Sequence, residues 1–189
     1  MPIFFGVRRL RKSWIFLLIL LLLIALNIER LGRHFYPFHY RETLFHYGQQ
    51  YGIDPYLLAA IVKTESNFNS QARSPKGALG LMQIMPDTGY WIAEQIGEKK
   101  FKPHLLYDPE INVKFGAWYL SYLKREFNND PILALAAYNG GKGNVYQWLK
   151  NARWTGKSRN LDQIPFPETR QYIRKVLWTY KVYDYLYRN

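Results

Sequence analysis

The chain has 189 residues, 48% of them hydrophobic, which is enough for one compact domain with a sizeable core but not for two ordinary domains and a membrane segment. It contains no cysteine, which excludes disulfides, thiolate metal ligands and a cysteine nucleophile. Lys and Arg outnumber Asp and Glu by 26 to 14, and this surplus favours polyanionic partners without choosing between nucleic acid, anionic lipid and an acidic wall polymer.

The first predicted element is an apolar segment that follows a basic flank. Four basic residues within positions 8–12 precede residues 14–28 and keep the first end of the segment in the cytoplasm. The length of this segment also fits the apolar core of a cleaved signal peptide. However, no small-x-small cleavage pattern ends the apolar segment, which favours an uncleaved anchor. The sequence therefore predicts a cytoplasmic basic tail (1–13), a signal anchor in the inner membrane (14–28), a juxtamembrane linker (29–39) and a periplasmic domain (40–189).

The periplasmic domain is predicted to be all-α, because no stretch of it alternates apolar and polar residues in the manner of a strand. Asp-Pro pairs at 54–55, 108–109 and 130–131 each place a capping residue before a proline at the first helical position. Pro86 and Pro167 begin two further helices. The sequence thus predicts a single helical domain behind an N-terminal membrane helix.

Two stretches, residues 70–86 and 155–166, lack helical periodicity and are predicted to be loops. In the first, Gly77 and Gly80 alternate with apolar side chains. This loop is therefore expected to be partly buried or to line a groove.

One acidic residue stands out on the helix predicted to begin at residue 55. Glu65 continues the apolar stripe formed by Leu58, Ile61 and Val62, at the spacing of a helix face. Burial disfavours the charged form, raises the pKa and so suits a general acid. The pattern alone is equally compatible with a glutamate that is turned into solvent or paired with a neighbouring cation.

Four motifs occur in order after this point: ES at 65–66, SPKGALGLMQIMP at 74–86, AYNGGKGNV at 137–145 and IPFPETRQYI at 164–173. Together they resemble the catalytic domain of soluble lytic transglycosylases, a family with a goose-type lysozyme-like fold. The resemblance covers roughly residues 50–185 and implies one lysozyme-like helical domain.

The resemblance also implies roles for individual residues. Glu65 would be the catalytic acid and base, and six residues would bind substrate: Ser74, Met82, Gln83, Tyr138, Asn139 and Glu168. Without the resemblance, Met82 also fits a core position and Gln83 a loop brace. Tyr138 and Asn139 fit a helix stop before a glycine cluster, and Glu168 fits a first-turn acid stabilised by the helix dipole.

The implied reaction is cleavage of the β-1,4 bond between N-acetylmuramic acid and N-acetylglucosamine, with formation of 1,6-anhydro ends during cell-wall remodelling. One carboxylate suffices, and no cofactor is expected. A hydrolytic muramidase and a non-catalytic peptidoglycan-binding protein of envelope assembly are the alternatives.

Predicted partners are peptidoglycan strands and the inner membrane, with envelope or secretion assemblies as further candidates. The four histidines lack the spacing of a metal site, so no metal is expected. No nucleic acid is expected, because the basic residues of the domain are scattered and accompany no recognition motif.

Overall fold

The computed structural model describes residues 4–188, with side chains from residue 14 onward. Its α-helices are α1 (Phe4–Leu26), α2 (Ile28–Phe35), α3 (Arg41–Tyr51), α4 (Pro55–Glu65), α5 (Pro86–Gln95), α6 (Pro109–Glu126), α7 (Pro131–Gly140), α8 (Lys142–Lys150) and α9 (Pro167–Tyr187). Short 3-10 helices cover Pro103–Tyr107 and Ser158–Gln163. Within the described residues the only β-type pairings are isolated bridges around Leu79, so the predicted all-α class is confirmed.

The chain separates into two units, one ending at Pro37 and one beginning at Phe38. The first contains α1 and α2, and the apolar side chains from Trp14 to Leu26 are exposed. Over the residues searched, no single helix is long and apolar enough to cross a membrane. The segments Trp14–Leu26 and Ile28–Phe35 meet that requirement only as a pair, with a bend of 64° between them.

The second unit is a helical domain whose predicted helix starts are confirmed. Prolines 55, 86, 109, 131 and 167 each occupy the first residue of a helix. Two features differ from expectation. The glycines that end α7 are followed at once by another helix, α8, because Gly141 adopts φ 87° and turns the chain without a longer loop. The second predicted loop contains a 3-10 turn.

Helix α4 lies at the centre of the domain, where it packs against α3 and α9. Leu58, Ile61 and Val62 are fully buried, as expected for its apolar stripe. Helix α3 also packs against α6, which in turn contacts α5 and α7. Glu65, the last residue of α4, is partly buried by this packing.

Helix α9 holds α4 at both ends. At the start of α4, the Asp54 carboxylate caps the helix by accepting from the Tyr56 amide at 2.9 Å, and it also accepts from the Tyr180 hydroxyl at 2.8 Å and from Arg188. At the other end, Lys175 Nζ donates to the Thr64 carbonyl at 3.4 Å. These contacts fix both the position and the direction of the helix that carries Glu65.

Replacement of Asp54 by alanine should destabilise the domain more than replacement of Asp130, which also caps a helix but bonds only to backbone amides of α7. Loss of either cap should lower the free energy of unfolding by about 1 kcal/mol. Asp54→Ala should lose more, because the partners of Tyr180 and Arg188 disappear as well. Equal losses in urea unfolding at neutral pH would show that α9 does not hold α4.

The stability difference caused by the Asp54 replacement should also depend on pH. Burial opposes ionisation of Asp54, but the hydrogen bonds from Arg188, Tyr180 and the Tyr56 amide lower its pKa below the ordinary value. The stabilisation is therefore complete above about pH 4 and is lost as pH falls through the folded pKa. The difference between Asp54→Ala and the native chain should shrink in acid.

Candidate active site

Glu65 is the last residue of α4 and is only partly accessible. Burial raises its pKa to about 7, against the smaller, lowering effects of the Tyr172 hydroxyl and the Lys175 ammonium. The charge of Glu168 contributes a minor further increase. The predicted raised pKa is thus present, and desolvation is its main cause. Near neutral pH, the carboxyl is divided between its acid and carboxylate forms.

Two tyrosines lie beside Glu65. Tyr138, from α7, is half-buried, and Tyr172, from α9, is buried. Burial, followed by the charge of Glu65, raises the pKa of both Tyr138 and Tyr172 well above the ordinary value. The Tyr138 hydroxyl donates to the Met82 carbonyl at 2.8 Å. Tyr172 is close enough to Glu65 to lower its pKa, yet its hydroxyl makes no hydrogen bond of standard geometry with any described residue. A small movement, a water molecule or a ligand would satisfy it.

The loop from Ser74 to Met85 forms one wall beside Tyr138 and is fixed by a buried amide. Asn112, from α6, accepts from the Met82 amide at 2.7 Å and donates to the carbonyls of Leu79 at 2.9 Å and Leu106 at 2.7 Å. Gly80 passes so close that a Cβ there would lie 2.0 Å from the Leu106 oxygen, and its φ of 75° also requires glycine. Asn112 was not identified from sequence, although an amide on the buried face of α6 was a detectable signal.

Ser74 and Gln83 both brace this loop. Ser74 Oγ accepts from the Ala78 amide at 2.9 Å. Gln83 has φ 50°, and its Nε2 donates to the carbonyls of Gly80 at 2.8 Å and Ala72 at 3.3 Å. Gln83 is partly exposed, and its Oε1 accepts no hydrogen bond from residues 14–188. Contact of these two residues with a substrate stays a prediction.

The expectation that the Met82 side chain lines a groove differs from the structure. Met82 is fully buried, and a Cβ added at Gly116 of α6 would lie 2.2 Å from its sulfur. The thioether fills the space that the glycine leaves, as a flexible apolar side chain does well. Met82 contributes to the site through its carbonyl instead, and the exposed thioether of this loop is that of Met85.

Glu168 affects the pKa of Glu65 only slightly, and Asn139 is not among the groups that affect it. Glu168, in the first turn of α9, is exposed and pairs with Lys76 of the loop at 3.2 Å. This ion pair connects two elements that border the site. Asn139 follows Tyr138 near the end of α7 and is half-buried. Their roles toward a substrate remain predictions.

The described side chains bring together no group of three or more His, Asp or Glu residues that could hold a metal ion. The chemistry available at the site is that of a carboxyl group poised between its two protonation states, with two phenol hydroxyls beside it.

Residues 42–161 match the family model described as the transglycosylase SLT domain. The soluble lytic murein transglycosylases of Salmonella typhimurium and Escherichia coli K12 are each 37% identical to the chain, over 82% and 81% of its length. A membrane-bound lytic murein transglycosylase C of Pectobacterium atrosepticum is 32% identical over 68% of the chain, or 42% of its own length. The chain spans about a quarter of the length of the soluble relatives, 24% and 23%.

Solved structures agree with this pattern. The crystal structure of the 70 kDa soluble lytic transglycosylase from Escherichia coli is 35% identical, with a TM-score of 0.74 over 82% of this chain and 25% of that one. A complex of the 70 kDa soluble lytic transglycosylase with bulgecin A gives a TM-score of 0.77 at 34% identity, over 84% and 26% of the two chains. The lysozyme-like fold expected from the motifs is thus confirmed for the helical domain.

Replacement of Glu65 by glutamine should make folding less dependent on pH. Because the folded pKa of about 7 exceeds the ordinary 4.5, the contribution of Glu65 to the free energy of unfolding is most favourable below about pH 4.5 and falls as pH rises through 7. A shift of this size corresponds to at most about 3 kcal/mol. The amide cannot ionise, so the variant should match or exceed the native melting temperature at about pH 8.

The exposed Glu168 provides the matched control. Glu168→Gln removes a surface ion pair worth less than about 1 kcal/mol and should give no gain in alkaline buffer. A Glu65→Gln variant that melts clearly below the native chain at alkaline pH would mean that Glu65 is an ionised, structurally paired residue.

Proposed function

The chain belongs to the transglycosylase SLT domain family, and on that premise we propose that it is a lytic transglycosylase of the bacterial cell wall. Its substrate is the peptidoglycan glycan strand, which it cuts at the β-1,4 bond between N-acetylmuramic acid and N-acetylglucosamine. The observation that carries this proposal is the buried carboxyl of Glu65, whose pKa of about 7 allows it to act as an acid and then as a base in one turnover.

In the first step, protonated Glu65 gives its proton to the glycosidic oxygen, and the bond from that oxygen to C1 of the muramic acid breaks. The neighbouring N-acetyl group of the same sugar supports the positive charge that develops at C1. In the second step, the Glu65 carboxylate takes the proton of the C6 hydroxyl, whose oxygen bonds to C1. The product carries a 1,6-anhydro ring, and no water is consumed.

One carboxylate suffices for this sequence, whereas most glycoside hydrolases need two that flank the bond. The other carboxylate that affects the pKa of Glu65 is Glu168, and it is exposed and paired with Lys76. A site with one desolvated carboxyl favours intramolecular attack by the substrate over a reaction that needs a second base. The Tyr172 hydroxyl, which lies close enough to Glu65 to lower the pKa of its carboxyl, is available to orient Glu65 or the sugar.

We assign the substrate contacts to polar residues of the loop from Ser74 to Met85 and of the end of α7. The Gln83 Oε1 accepts from an amide or hydroxyl group of a sugar, and Ser74 and Asn139 offer further polar groups on the same rim. Tyr138 supports the acid, and Glu168 holds the rim through Lys76. Met85, whose side chain is 40% exposed, offers an apolar contact in the same loop.

The N-terminal unit is assigned to membrane attachment. The exposed apolar side chains of residues 14–26 and the ability of the bent pair to meet the length requirement support an inner-membrane anchor. The basic residues at positions 8–12 favour a cytoplasmic start, which puts the enzymatic domain, from about residue 40, in the periplasm.

The full chain, incubated with purified wall sacculi, should release muropeptides with 1,6-anhydro ends, each lighter by one water than the hydrolytic product in mass analysis. Glu65→Gln should reduce release by a factor of about 100 or more, because the amide retains the shape but cannot donate a proton. Reducing ends in place of anhydro ends would identify a hydrolytic muramidase. Binding without release by the native chain would identify a non-catalytic protein.

The anchor is tested by fractionation of cells that express the full chain. The protein should sediment with inner membranes and be degraded by protease added from the periplasmic side of spheroplasts. A matched chain that begins at residue 29 behind a cleavable export signal should appear in the soluble periplasmic fraction. Recovery of the full chain in that soluble fraction, with a new N-terminus near residue 27, would contradict the anchor.

A further inference from the structure

The solvent side of α9 forms a surface that the reaction described above does not use. Residues spaced as one helix face are exposed along it, namely Gln171, Arg174, Trp178, Lys181 and Tyr185. We call this row the outer stripe. It contains two cations and two aromatic rings but no acidic residue.

The two aromatic rings of the outer stripe are open to solvent. Trp178 is 64% exposed and Tyr185 is 55% exposed. Tryptophan and tyrosine combine an apolar ring with a polar group, and both are enriched where one end of the side chain is apolar and the other is wet. The interface between a bilayer and water is such a place. Folding therefore leaves apolar ring area on α9 that a partner can cover.

The positive charge of the outer stripe continues onto the neighbouring helix. Lys175 lies beside the stripe on α9, and Lys63 lies on α4. Burial, followed by the charge of Lys175, lowers the pKa of Lys63. The two ammonium groups are thus close enough to repel each other, so this side of the domain has a positive potential.

Two acidic residues that border the outer stripe are each paired with an arginine. Asp162 lies 2.7 Å from Arg174, and Asp184 contacts Arg188. Their negative charges are therefore cancelled locally and do not offset the charge of Lys181.

The chain enters the helical domain against the last turns of α9. Phe38, the first residue of the second unit, packs its ring 5.4 Å from that of Tyr183 and 5.2 Å from that of Tyr187. Only residues 27–37 separate Phe38 from the apolar segment assigned to the membrane. Even when fully extended, such a linker spans at most about 45 Å. The tether therefore keeps α9 at a high effective concentration near the bilayer, where a weak surface affinity is sufficient for docking.

We propose that the outer stripe docks on the surface of the membrane that holds the anchor, with anionic phospholipid headgroups as its ligands. Lys181 then faces the lipid phosphates, and the rings of Trp178 and Tyr185 enter the interfacial zone. The inference rests on the proposed anchor. It adds that the domain itself contacts the bilayer and has one preferred orientation there.

The test uses the full chain in vesicles of phosphatidylcholine, with or without phosphatidylglycerol. Because the chain contains no cysteine, Tyr185→Cys provides a single attachment point for a nitroxide label. With phosphatidylglycerol present, this label should collide more often with oxygen, which concentrates in the bilayer, and less often with a water-soluble nickel chelate. Tyr90→Cys is the matched control, because Tyr90 is 52% exposed on α5 and lies outside the outer stripe. A label there should stay accessible to nickel in both lipids.

A reversal of charge should weaken the docking. Lys181→Glu should lower the ratio of docked to undocked domain about tenfold or more, because it replaces an attraction to the lipid by a repulsion. Lys99→Glu makes the same change of charge at an exposed lysine after α5 and should leave the ratio unchanged. Added salt should also release the label at position 185, which provides a readout without a further substitution.

Two results would overturn the inference directly. One is a label at position 185 that is as accessible to nickel as the label at position 90, and the other is equal bilayer contact with and without phosphatidylglycerol. It would also fail if Lys181→Glu reduced binding to wall sacculi and left the label unchanged, since the stripe would then belong to the wall polymer.

The outcome separates this inference from the proposed function. A chain that floats with the vesicles but keeps the label in water retains the anchor and rejects the docking. A chain that does not float rejects both. Release of anhydro muropeptides from sacculi in detergent measures the lytic activity independently, and Lys181→Glu should leave it unchanged because Lys181 is exposed on the solvent side of α9.

Discussion

The surroundings of the site depend on one constraint, which is that the carboxyl of Glu65 is held away from water at the end of a helix. An ionised carboxylate is unstable in such a position unless charge or hydrogen bonds compensate it. Here compensation is incomplete, since Lys175 and Tyr172 lower the pKa less than burial raises it. The domain must therefore supply the free energy that holds the group in place, and the packing and end contacts between α4 and α9 supply it.

The site also retains polar groups whose hydrogen bonding within the protein is incomplete. The hydroxyls of Thr64 and Tyr172 are buried and make no hydrogen bond of standard geometry with the described residues. Thr64 precedes Glu65 in sequence, and Tyr172 lies beside it in space. Such groups reduce stability, and they are rare in structural cores. The incompletely bonded Tyr172 hydroxyl beside Glu65 is typical of a surface prepared for a ligand, where stability and function oppose each other. The neighbouring loop is by contrast fully braced through Asn112.

Sequence reasoning reached Glu65 because helical periodicity directly determines which face of α4 is buried. It could not distinguish Met82 from Met85, since a loop has no periodicity that separates inward from outward side chains. Asn112 escaped notice because its partners are distant in the chain, up to 33 residues away. Tyr172 was not among the predicted site residues, since its approach to Glu65 follows from how α9 crosses α4 and not from local sequence.

The close contact between the Met82 side chain and Gly116 couples the side-chain sizes that these two positions can accept. A side chain at 116 would occupy the volume of the sulfur, so a lineage that enlarges one residue must shrink the other. The carbonyl of the same residue 82 accepts from Tyr138, and a repacked core would therefore move the acceptor that orients this phenol. Selection on the interior and selection on the chemistry thus act on a single residue, and positions 82 and 116 should covary among relatives even though both residues are buried.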